Sequence, residues 1–371
     1  MYNFWWQLPG PKSFIDRLVQ DIRDGKNIIM CLPKYSPYEK LSKAVRIEME
    51  NDEWEWHLID TQEEKDPVNL LFKRFIPNHR IDQIRNANTL AKDPVFKGKL
   101  IWLTNINQNN WLSWREFIVD YANICRHYCL LDRTLFCIPL IGELTLNLPS
   151  EDICLSLHRW CNYIDRTDML VFTSQFFREK AIPLIEKQMI ISVIVNLSLW
   201  DPFTSERLAN ESIDKILKPN YILKQIARER DWDNSDFVNE RLLWLSGIKN
   251  EFEGKEEFHS AILSLHDPKK EIERRIWSAQ VGVYFPFIEQ KRQEILVKLK
   301  NVLKVPFTTR FETINNIWDL EIGHIESQIV NEISVPMELK KLVKRLRIMR
   351  NKLSHLNSLD EDILFFNYDI L

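Results

Sequence analysis

The sequence predicts an α/β N-terminal module built on a parallel sheet, followed by an all-α C-terminal half. Over roughly the first 200 residues, short continuous apolar runs alternate with amphipathic helical spacings, the pattern of strands buried on both faces and covered by helices. From about Phe203 onward the runs fade and helical periodicity dominates. Glycine is scarce, 8 in 371 residues. That scarcity suits helices joined by plain loops and argues against a glycine-rich cradle for a cofactor phosphate.

A first helix is expected from about Lys12 to Asp24, and Asn27 to Leu32 reads as the buried strand after it. Glu55 to Asp60 is a second strand; Trp54 and Trp56 alternate there with acids, as on an edge strand. Leu100 to Asn105 is a third, Thr134 to Leu140 a fourth and Met169 to Thr173 a fifth. Trp114 to His127 and Glu151 to Tyr163 read as the intervening helices. Phe203 to Asp231 and Asp236 to Gly247 carry helical spacing with charged faces, and Lys270 to Asn301 is a longer helical region interrupted around Gly282 to Pro286. The expected organisation is an α/β module over 1–200, a helical linker or winged-helix-like region over 201–305, and a C-terminal helical domain over 306–371, with Val305-Pro306 marking the last boundary.

Composition is that of an ordinary globular chain, 45% hydrophobic and 28% charged with a net charge of −3. The N-terminus, Met1 to Trp6, lacks the basic start and long apolar run of a secretion signal. The longest apolar stretch, near Met189 to Leu199, is about half of what spans a bilayer. These features predict a cytoplasmic protein with no membrane partner and with its six cysteines as free thiols. Cys125, His127 and Cys129 form one group and Cys154, His158 and Cys161 another, both in segments that read as helices. Neither has the paired C-x-x-C spacing of a zinc site, so no metal is expected.

Strand followed by helix near the N-terminus directs attention to the loop after the first strand, Pro33-Lys34-Tyr35-Ser36-Pro37-Tyr38-Glu39-Lys40. A phosphate-binding loop needs glycines whose N–H groups wrap the phosphates, then Lys and Ser/Thr. Here two prolines lack donors and no glycine is present. The acidic pair expected on a later strand is replaced by Leu103-Thr104-Asn105. Element order over 1–200 resembles the P-loop, STAND-like ATPase modules of bacterial conflict and phage-defence proteins, in a form without the phosphate chemistry; an unrelated α/β fold is the alternative. Lys34 and Asp60 are the remaining conceivable nucleotide ligands, and no cofactor is expected.

The most informative segment runs from Pro336 to His355. Pro336 suits the start of a helix. Leu339, Leu342, Val343, Leu346, Met349 and Leu353 recur at helical spacing, while Lys340, Lys341, Lys344, Arg345, Arg347, Arg350 and Lys352 crowd the other faces against the one acid Glu338. A basic stripe on an otherwise acidic chain is either a nucleic-acid footprint or a solvated helix face. It ends in Arg350-Asn351-Lys352-Leu353-Ser354-His355. This Arg-x-x-x-x-His element, its basic helix and the upstream Ile317 to Ile325 stretch resemble the HEPN signature over roughly residues 306–371. The resemblance implies a helical bundle that commonly pairs, bringing two Arg-His elements into one cleft, and in many members a metal-independent ribonuclease.

The chemistry suits those residues. A histidine titrating near neutrality can take the proton of a ribose 2′-OH. A guanidinium can hold the scissile phosphate and its developing charge. The expected site is therefore Arg350, His355 and Asn351 for cleavage, with Lys341, Lys344, Arg345, Arg347 and Lys352 on the RNA backbone and Glu321 in support. The structural alternative is that His355 caps its helix and Arg350 pairs with Glu321 inside the bundle. Sixteen residues follow His355, so the bundle is expected to draw on Lys270 to Asn301. The function predicted is a defence protein that cleaves or binds RNA as a homodimer or within a larger complex; the alternative is a non-enzymatic scaffold or regulatory subunit.

Overall fold

The structure is a computed structural model that describes residues 2–76, 85–234, 239–266 and 270–364. In chain order it contains α1 (Tyr2–Trp5), α2 (Pro9–Arg23), β1 (Asn27–Leu32), α3 (Leu41–Glu48), β2 (Glu55–Asp60), α4 (Pro67–Phe75), α5 (Ala87–Lys92) and β3 (Lys99–Thr104). It continues with α6 (Trp111–Cys125), β4 (Leu135–Ile141), β5 (Leu155–Arg159), α7 (Arg166–Ser174), α8 (Leu184–Ser198), α9 (Pro202–Ala209), α10 (Ile213–Leu217) and α11 (Asn220–Glu229). Then come α12 (Glu240–Leu245), the hairpin β6 (Lys249–Phe252) and β7 (Lys255–Phe258), α13 (Ser260–His266) and α14 (Lys270–Leu299). A short hairpin, β8 (Phe307–Thr308) with β9 (Thr313–Ile314), precedes α15 (Ile322–Ile329), α16 (Met337–Ser354) and α17 (Glu361–Leu364). Among the described residues no helix is long and apolar enough to cross a membrane.

The chain forms two compact units, Met1–Asp168 with Asn234–His259, and Met169–Asp233 with Ser260–Leu371. The first holds a five-stranded parallel sheet in the order β2-β3-β4-β1-β5. Every residue of β1 is buried, as a central strand requires. Alternation sends Ile29 and Cys31 into a large aromatic core with Phe72, Phe96, Trp114, Phe117, Tyr121 and Phe136. On the opposite face Phe14, Ile15, Leu18 and Ile22 of α2 are buried. The first turn of α2 approaches the chain beyond β5 closely: a Cβ on Gly10 would stand 1.9 Å from the Tyr163 carbonyl oxygen, so only glycine fits there.

The second unit is mainly helical. α8 lies along α14, with Asn196 Nδ2 donating to the Arg275 carbonyl at 3.0 Å. α16 packs on both α14 and α15, so α14 does supply the support that the C-terminal helices lacked in sequence. The Arg230 guanidinium is buried 2.8 Å from Asp201, which caps α9 by accepting from Phe203 N–H.

Several expectations are corrected. Met169 to Thr173 is helical, inside α7: Met169, Phe172 and Thr173 are buried while Val171 is 39% exposed, a spacing of three and four that a five-residue apolar run conceals. The fifth strand is Leu155–Arg159, within the stretch expected to be a helix; lying at the sheet edge, it exposes its last residue and lacks a continuous apolar run. α14 runs unbroken through Pro286, which removes one donor without ending the helix. The compact α/β unit closes at Asp168 rather than at 200, and 201–305 is shared between the units because α12 and the β6–β7 hairpin return to the first. Part of the expected Asp236 to Gly247 helix lies outside the described residues; the described helix is Glu240–Leu245.

Candidate functional site

In open α/β sheets ligands bind beyond the carboxyl ends of the strands, where successive connections part. Here that place is the end of β1, because the chain leaves β1 for the far edge at β2 and later returns to β5 on its other side. The loop there is closed by the protein itself. Lys34 N–H donates to the Leu245 carbonyl at 2.8 Å, and Ser36 Oγ folds back on the Pro33 carbonyl at 2.8 Å. The Lys34 ammonium lies 5.2 Å from the centre of the Tyr35 ring. Arg241 of α12 reaches the Thr145 carbonyl at 3.1 Å, holding the covering segment down. Asp60 ends β2 and accepts from Asn105 Nδ2 at 2.8 Å. It stands three strand spacings of about 4.8 Å from β1, so Lys34 and Asp60 share no site.

α16 buries Leu339, Leu342, Val343, Leu346, Met349 and Leu353, the face that the spacing indicated. Its cations are mostly engaged. Arg350 Nη2 is 2.9 Å from Glu321 Oε2, Arg347 Nε is 2.5 Å from Glu326, Lys341 is 2.7 Å from Glu338 and Lys352 is 3.0 Å from Asp360. Arg345, expected on the RNA backbone, donates to the Ile363 carbonyl at 2.9 Å and to that of Asp362, capping α17. Lys344 is exposed and has no ion pair among the described residues. The Arg350–Glu321 pair forms as the structural alternative supposed, but at the surface, with the two side chains 40% and 57% exposed. Exposed pairs of this kind contribute about 0.2–1 kcal/mol each, so they neutralise the stripe without locking it.

Asn351 and His355 are both exposed. His355 is the capping residue of α16, its N–H shared between the Asn351 and Lys352 carbonyls. Leu356 follows at φ +60°, and Asn357 N–H closes on the Lys352 carbonyl at 3.0 Å. Five residues at 100° each set Arg350 and His355 about 140° apart around the helix, and among the described residues no hydrogen bond joins their side chains.

Two residues that position this element escaped sequence reasoning. Trp277 Nε1 of α14 donates to the Leu353 carbonyl at 2.7 Å, and the buried Gln280 amide pairs with both main-chain groups of Leu359, at 2.9 and 2.6 Å. Their spacing of three on α14 puts them on one face, but a side chain that grips a backbone leaves no residue pattern in its partner.

No family model matches the sequence, and no curated protein matches it. Among solved structures, a chain of Drosophila ORC bound to DNA matches at 10% identity, covering 96% of this chain and 70% of that one, with a TM-score of 0.31. At that score the likeness carries no inference about fold or function.

Among the described residues no three His, Cys, Asp or Glu side chains gather as a metal site. One member from each cysteine group meets instead: Cys125 lies beside Cys154 in the core, and burial pushes its thiol up to about 12. The second group was expected on a helix; Cys154 precedes β5, His158 lies on it and Cys161 follows it.

Proposed function

We propose that this chain is a scaffold or regulatory subunit of a larger assembly, with an α/β unit that docks a partner rather than turning over a nucleotide. The observation that carries this is Lys34 N–H spent on the Leu245 carbonyl, in a loop with two prolines and no glycine. The donor that would meet a phosphate is occupied, and the segment occupying it belongs to the same compact unit. The setting is the bacterial conflict or phage-defence context that the element order resembles. Magnesium and ATP with the purified chain should give no phosphate release above a protein-free blank; steady turnover abolished by Lys34→Ala would sink the proposal.

A second reading has its own support. Asn351 and His355 lie exposed at the end of α16, and Arg350 is one surface ion pair from being available. In a HEPN-like dimer, His355 of one copy would take the 2′-OH proton while Arg350 of the other held the phosphate, which removes the problem that the two diverge around a single helix. Attack by the 2′-OH would restrict such activity to RNA. Cleavage of labelled RNA in EDTA, lost in both Arg350→Ala and His355→Ala, is the result that would favour it.

A further inference from the structure

In the α/β unit a cavity of about 640 Å³ opens between the exposed face of α2 and the end of β5. Its walls include Arg17, Glu151, His158, Arg159, Asn162 and Tyr163. The size is that of pockets that hold a small organic molecule, about 300–1,000 Å³. The charges are arranged unevenly. The Glu151 carboxylate accepts from Leu157 N–H at 3.0 Å, occupying a main-chain donor on the outer edge of β5. Asp21, behind the wall, lies 2.8 Å from His158 Nε2 and 2.7 Å from Lys26. These two acids are thus committed to the fold.

The two guanidinium groups are not. Among the described residues Arg17 donates to the Tyr163 hydroxyl alone, at 3.2 Å, and stands 5.4 Å from the centre of its ring. Arg159 is exposed at the end of the strand. Neither has a carboxylate partner among the described residues, whereas Arg23, Arg126 and Arg350 each sit on one. Asn162, three residues beyond Arg159, is held at φ +57°, a left-handed conformation that costs free energy and is found often at ligand clamps.

We propose that this cavity binds a small phosphate monoester of nucleotide size, with Arg17 and Arg159 on the phosphate. The planar forks of two arginines match a phosphate dianion in charge and geometry. The site is distinct from α16 and from the loop after β1, so its fate is independent of the RNA and ATPase assays.

The test is titration calorimetry of the full chain with inorganic phosphate and with adenosine 5′-monophosphate, beside Arg17→Gln, Arg159→Gln and the surface control Arg46→Gln. Saturable one-to-one binding of either probe is expected. Each cavity variant should raise Kd at least about tenfold, the loss of one charge-assisted hydrogen bond, while Arg46→Gln leaves it unchanged. Both cavity arginines are exposed, so circular dichroism should show all variants folded. The proposal is overturned if neither probe binds saturably, or if Arg46→Gln weakens binding as much as the cavity variants do.

Discussion

At the start of β1 the Asn27 amide accepts from Phe136 N–H at 3.0 Å and donates to the Cys154 carbonyl at 2.9 Å, tying β1 to both of its neighbours. It is fully buried, so removing it takes the acceptor from the Phe136 N–H, while the Cys154 carbonyl still accepts from the Asn27 N–H at 2.8 Å. Asn27→Ala should therefore cost about 1–3 kcal/mol of stability, read from urea unfolding; a change near zero would mean that water replaces the amide. Sequence placed Asn27 at the edge of an apolar run and gave no hint of this role, because its partners lie about a hundred residues away. His158 makes a second residue-scale prediction. Burial lowers its pKa below the usual 6.5, although Asp21 beside it pulls the other way. The unfolded chain then binds the proton more tightly than the folded one, so stability is lost as pH falls below about 6.5. His57, depressed by burial as well, acts in the same direction. Urea midpoints should fall from pH 7 to pH 5, and His158→Gln should flatten part of that slope; an unaltered slope would contradict the assignment.

The end of α16 is where an element depends most on its neighbours. Leu356 sits in the left-handed region, 71% exposed, in the position where helices commonly place glycine. Leu356→Gly should raise stability by about 0.5–1 kcal/mol, seen as a higher melting temperature; a drop would show that the leucine side chain packs usefully. Gln280→Leu should do the opposite, costing about 1–3 kcal/mol, because the Leu359 N–H and carbonyl lose their buried partner. Which elements could be read from sequence follows from how they are buried. β1 and β3 are continuous apolar runs in the middle of the sheet, and α16 shows one clean apolar face, so all three were legible. β5 is a short edge strand that mixes Leu155 and Leu157 with Ser156, His158 and Arg159, so its burial is partial and its pattern ambiguous. α7 failed for the converse reason: its apolar run is long enough for a strand and too short to show a helical period.

For the whole molecule, the feature that sequence could not disclose is its discontinuity. The first unit is interrupted and then resumed by residues 234–259, whose α12 closes on the loop after β1. The glycine-free loop with Pro33 and Pro37 was legible, but the segment that covers it was not, since Leu245 is linked to Lys34 only through the fold. On α16 the identities of the candidate residues were legible, yet their partners, Glu321, Glu326, Asp360 and the α17 carbonyls, were mostly not. In the proposed reading those partners neutralise the stripe of a regulatory rather than an RNA-cutting end. The measurement that tests this directly is incubation of the purified chain with labelled total RNA in EDTA, beside Arg350→Ala and His355→Ala. A scaffold or regulatory subunit leaves the RNA intact in all three lanes. Cleavage by the parent that disappears in both variants would contradict it and establish a metal-independent ribonuclease at the end of α16.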